Sequence, residues 1–74
     1  MESVIASQEL QVERKRFIIE LRANERGQFL RITEEAHGRR NTVIVPSTGL
    51  NDFMTAADAV CAAANTGPAV DPAG

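Results

Sequence analysis

The sequence has no tryptophan, no tyrosine, three phenylalanines and a single cysteine, Cys61. One thiol excludes an intrachain disulfide framework and a zinc site built on cysteines. So few aromatics leave little bulk for a hydrophobic core. No apolar run approaches the roughly 18 residues that a membrane span requires. The start, "MESVIASQEL", carries a glutamate at position 2 and no basic cluster, unlike a secretory signal. The expectation is an intracellular protein with no membrane partner. Glycine-rich phosphate loops and metal-ligand clusters are also lacking, so neither a metal nor another cofactor is expected.

Seventy-four residues make one small domain at most. A chain of this length buries only about 60% of its unfolded surface, so its own core is thin. The last ten residues, "NTGPAVDPAG", hold two prolines and two glycines and read as a disordered tail. Residues 1–64 then form the folding unit and 65–74 the tail. A homodimer is the natural remedy for so small a core. The net charge of −2 argues mildly against nucleic acid, but the charge is unevenly spread. From Glu13 to Arg31 there are six basic residues (Arg14, Lys15, Arg16, Arg22, Arg26, Arg31) against Glu13, Glu20 and Glu25. The middle of the chain is locally basic.

The apolar pattern has two periods. "QELQVER" places Leu10 and Val12 on one side of a strand, and "KRFIIELRA" places Phe17, Ile19 and Leu21 on one face with Arg16, Ile18, Glu20 and Arg22 opposite. "NERG" is a polar tip suited to a hairpin. "QFLRITEE" alternates again, with Leu30 and Ile32 against Phe29, Arg31 and Thr33. "AHGRRN" is a polar loop, and "TVIVP" a short β-branched strand that Pro46 ends. After "STG" the spacing changes. Leu50, Phe53, Ala57, Val60, Cys61 and Ala64 fall on one helical face, with Ser47 or Asn51 placed to cap its start. The order is β-β-β-β-α, an α+β fold in which a four-stranded antiparallel sheet packs its apolar face against one helix. Phe17, Ile19, Leu21, Leu30, Ile32 and Phe53 are the expected core.

The other sheet face then carries Arg16, Ile18, Arg22, Phe29 and Arg31 without a covering element. Arginines set around an aromatic ring suit phosphates and stacked bases, although a solvated face with its usual share of apolar residues has the same pattern. The small residues of "AADAVCAAA" suit close helix approach in a dimer as well as they suit a plain helix.

In order along the chain, Lys15-Arg16-Phe17, "RANER", "RGQFLRI" and Gly49-Leu50-Asn51-Asp52-Phe53 resemble the repeat of the Pur-alpha family of purine-rich-element binding proteins. The likeness runs from about Glu9 to Val60. It implies a PUR repeat of four antiparallel strands and a helix, two of which intertwine into a domain that binds single-stranded DNA and RNA, often G-rich, and regulates transcription. One chain carries one repeat, so the likeness also implies a homodimer. The family's K-x-N-x-R element maps onto Arg22, Asn24 and Arg26, where two guanidinium groups and an amide can meet phosphates and base edges. The expected nucleic-acid contacts are Lys15, Arg16, Arg22, Asn24, Arg26, Phe29 and Arg31. The chain departs from the pattern with Arg22 for lysine, Ile18 for an aromatic and Gln28 for arginine, which points to weaker binding or altered preference. A protein-interaction module that kept the fold but lost its affinity is the alternative.

An enzyme is not expected. His37 sits in a polar loop, Glu34 and Glu35 point to opposite faces of a strand, and Cys61 lies on the apolar helix stripe. Arg39 and Arg40, in the second hairpin loop, either extend the binding face or merely solvate a turn.

Overall fold

A computed structural model describes residues 1–66 of the chain, with side chains through 64. Four antiparallel strands form a meander: β1 (Ser3–Val12), β2 (Lys15–Asn24), β3 (Gly27–Ala36) and β4 (Arg39–Pro46). A single 3-10 turn, Ser47–Gly49, leads into helix α1 (Leu50–Thr66). The order expected from hydrophobic periodicity is the order found. Strand β1 begins at Ser3, well before "QELQVER", because its pairing with β2 extends to Ser3 opposite Ala23. Ile5 interrupts that ladder as a bulge between Val4 and Ala6. Neither Ser47 nor Asn51 caps α1. The 3-10 turn occupies that place, begins after Pro46 and has no side-chain cap. The helix runs to Thr66, and the remaining residues of the expected tail, 67–74, lie outside the described residues.

Register places Leu10 opposite Phe17, Ile19 opposite Ile32, Leu21 opposite Leu30, and Ile32 opposite Val43. Alternation therefore gathers Leu10, Phe17, Ile19, Leu21, Leu30, Ile32, Val43 and Val45 on one apolar face. The helix does not cover it. Its contacts run mainly to the 3-10 turn and to β4. On its apolar stripe Leu50 and Ala57 are half-buried, while Phe53, Val60 and Cys61 are exposed. The packing expected within one chain is thus absent among the described residues. Among the described residues no apolar side chain is buried, and Thr33 is the one buried residue. The physical reason is reach. The short link Ser47–Gly49 leaves α1 at the outer edge of the sheet, beside β4, rather than returning it across the apolar face.

Candidate nucleic-acid interface

The second face of the sheet is built by the other half of the alternation. Arg16 pairs with Glu35, Ile18 with Thr33, Glu20 with Arg31, and Arg22 with Phe29, while Arg31 faces Ile44 and Phe29 faces Pro46. Three hollows follow one another along this face. The first, about 460 Å³, lies at the β2–β3 hairpin and is lined by Asn24, Arg26, Phe29, Ile44 and Pro46, among others. A middle one of about 330 Å³ is lined by Ile18, Glu20, Arg22, Arg31 and Arg40. The last, about 490 Å³, lies where the β1–β2 and β3–β4 turns meet and holds Arg14, Arg16, Arg39 and Arg40.

All seven arginines of the chain line this trough, Arg39 only at its end, from a β4 position that by register belongs to the apolar side. Four glutamates line it too, Glu2, Glu9, Glu20 and Glu35, so the face carries an excess of three positive charges on a chain whose net charge is −2. The rest of the surface is accordingly acidic, and the anion-attracting potential is confined to one side.

Most of these guanidinium groups are already engaged. One ladder crosses all four strands. Arg16 donates to both Glu9 oxygens (2.9 and 2.8 Å) and to Glu35 (3.3 Å), and Arg40 in turn grips Glu35 through Nε (2.9 Å) and Nη2. Hydrogen bonding from Arg40, helped by the charges of Arg40 and Arg16, holds the Glu35 carboxyl below its ordinary range. A second cluster joins Arg22 to Glu2 and Glu20, each at 3.0 Å. Glu20 also lies 3.9 Å from Arg31 Nε, beyond hydrogen-bond reach, so that water-inaccessible nitrogen has no hydrogen-bond partner among the described residues. Arg14, Arg26 and Arg39 carry no ion pair among the described residues. The open guanidinium groups therefore sit at the two ends of the trough, with the braced Arg16 and Arg40 beside Arg14 and Arg39 and the braced Arg22 in the middle.

The hairpin at the first end is held by its own sequence. Asn24 Oδ1 accepts the backbone N–H of Arg26 at 2.9 Å, an Asx turn, and Gly27 follows with φ 129°, a conformation that side chains disfavour. Asn24 Nδ2 makes no hydrogen bond among the described residues. The turn thereby displays Arg26 beside Phe29, which is half-buried in the hollow.

Six of the seven expected contacts share this face or its hairpin: Arg16, Arg22, Asn24, Arg26, Phe29 and Arg31. Lys15 does not. It stands on the apolar face, opposite Val12, where it donates to Glu34 at 2.8 Å. That hydrogen bond and charge raise the Lys15 pKa and lower that of Glu34, which Asn41 also hydrogen-bonds. Parity alone, odd against even in "KRF", carries this distinction. Sequence reasoning left out Ile44 and Pro46, although Ile44 alternates with the apolar-face residues Val43 and Val45. Among the described residues no group of His, Cys, Asp and Glu could hold a metal ion. No described helix is long and apolar enough to cross a membrane.

Residues 1–65 match the family described as PurA ssDNA and RNA-binding protein. The chain belongs to the PurA family. It is also 44% identical over 50 residues to transcription factor Pur-alpha 1 of Arabidopsis thaliana. That stretch covers 68% of this chain and 17% of the plant protein, so the chain spans a small part of its relative's length. The PurA match takes in the whole sheet and nearly all of α1.

Proposed function

We propose that the chain binds single-stranded DNA or RNA through the arginine-lined trough, as a homodimer. The observation that carries this reading is the gathering of every arginine along one face and its turn ends, with Ile18, Phe29 and Ile44 between them. Guanidinium groups neutralise phosphates and release counterions, while exposed rings and flat apolar side chains accept unstacked bases. Purines are favoured because they offer larger stacking area, and guanine offers O6 and N7 to a bidentate arginine. Arg22, Asn24 and Arg26 supply that preference at the hairpin; Arg16 and Arg31 hold the backbone. The plant relative is called a transcription factor, and a role in transcription regulation inside the cell fits this partner.

The unburied apolar face supports the dimer. A sheet with Phe17, Ile19, Leu30 and Ile32 uncovered, beside a helix with Phe53 and Val60 exposed, has two surfaces that complete each other between copies. Two chains exchanging helices bury both.

The test is fluorescence anisotropy with a labelled purine-rich single strand at low and moderate salt, wild type beside R22E/R26E. Salt-sensitive binding that the variant loses by about a hundredfold is expected, since each charge reversal removes one attractive contact and adds a repulsive one. A folded wild type that binds no strand at low salt would refute this reading. It would then favour a protein-interaction module, to which the internal neutralisation of Arg16, Arg22 and Arg40 by glutamates is suited.

A further inference from the structure

The hairpin that matches the family's motif is not the most cationic part of the trough. Arg26 shares its end with Glu2 and Glu25. The opposite end brings Arg14, Arg16, Arg39 and Arg40 around a groove of about 490 Å³ in which Glu35 is the one carboxylate among the described residues. That carboxylate is already engaged by Arg16 and Arg40. Glu13, in the same turn, does not line this groove but borders with Lys15 a hollow on the apolar side, and Arg14, at the rim between the two, borders both.

Two tight turns create this groove. At the β3–β4 turn, His37 and Gly38 have φ of 53° and 74°, the pair of positive values that a type I′ hairpin requires. The turn keeps Arg39 and Arg40 close to β1–β2, whose own turn holds Glu13 at φ 54° and presents Arg14. Arg14 and Arg39 are exposed, without an ion pair among the described residues, and so are ready to receive an anion without first releasing a carboxylate.

We infer that this turn-end groove is a second phosphate clamp for the single strand, which lies along the sheet with Arg26 holding one end and Arg14 with Arg39 the other. The inference rests on the nucleic-acid reading proposed above. Ten residues of β2 separate the two ends, roughly 30 Å at the rise of an antiparallel strand. An extended strand of roughly five nucleotides spans that length, within the site sizes of single-strand grooves. Between the clamps the backbone passes Arg22, Arg31 and Arg40, and bases meet Phe29, Ile44 and Ile18. A strand too short to reach both ends gains from one clamp alone.

The experiment compares labelled single strands of about four and about twelve nucleotides on the full chain, as wild type, R14E/R39E and the milder R14Q/R39Q. Circular dichroism verifies that each variant is folded. Wild type should bind the longer strand much more tightly than the shorter. R14E/R39E should lose at least tenfold on the longer strand and most of the advantage of length, with R14Q/R39Q in between. The salt dependence should flatten by about 1.4 in slope, the share of two phosphates on a single strand. If wild type binds and both folded variants keep its affinity, length dependence and slope, the clamp is refuted while the nucleic-acid reading stands. If wild type binds neither strand, both fall.

Discussion

Replacing Val43 by aspartate separates the sheet's two faces. Val43 belongs to the apolar face and is 54% exposed in the single chain. In an isolated protomer the new carboxylate would keep its water, and the cost would be limited to strand propensity, about 1 kcal/mol or less. The dimer responds differently. Full burial of a valine stabilises by about 1.5–3 kcal/mol, so the half still exposed leaves about 1 kcal/mol per protomer and about 2 kcal/mol in a two-fold dimer. Enclosing an unpaired carboxylate in that interface costs several kcal/mol more. V43D should therefore weaken the dimer by well over a hundredfold, at about 1.4 kcal/mol per tenfold. Thr42, the preceding residue, lies on the other face opposite Thr33. T42D should leave the dimer intact and weaken nucleic-acid binding by adding a negative charge to the trough. Sedimentation velocity across a wide concentration range reads the first effect, and anisotropy the second. A V43D chain that dimerises with wild-type affinity would refute the assignment of the apolar face to the interface. So would a wild type that melts cooperatively as a monomer, independent of concentration.

Other outcomes follow from the trough and its hairpin. E20Q should tighten nucleic-acid binding about threefold to tenfold by freeing Arg22 and Arg31 from a competing carboxylate, an effect of about 1 kcal/mol for a partly exposed pair; unchanged or weaker binding in the titration would argue that Glu20 positions those arginines instead. G27A should destabilise the protein by about 1–2 kcal/mol through φ strain alone, because an added Cβ meets nothing within 4 Å; a neutral melt would show that the turn relaxes. N24A should cost about 1 kcal/mol in urea unfolding through the lost Asx hydrogen bond. The Glu34 and Glu35 carboxyls titrate below their ordinary value of 4.5 in the folded chain. Their contribution is complete above that value and lost as pH falls through the lowered folded pKa values. E34Q/E35Q should therefore flatten the acid limb of the stability curve, read by thermal melts from neutral pH downward.

The strands, their alternation and the helix were legible from residues alone, because periods of 2 and 3.6 are local consequences of backbone geometry. Phe17, Ile19 and Leu21 could be separated from Arg16, Ile18 and Arg22 without any structure, and the likeness to the PUR repeat rested on the same stretches. Local pattern also fixed the hairpin, since Asn24 and Gly27 each favour the conformation they adopt. Three things needed the tertiary structure. Only register shows that Arg14 and Arg39, from turns 25 residues apart by number, line one groove with Arg16 and Arg40. Only the placement of side chains shows that Arg16, Arg22 and Arg40 are held by glutamates, whereas Arg14, Arg26 and Arg39 are open among the described residues. And only the path after Pro46 shows that α1 leaves the apolar face bare. A sequence states which surfaces are apolar; which surface covers another depends on where the connecting chain can reach.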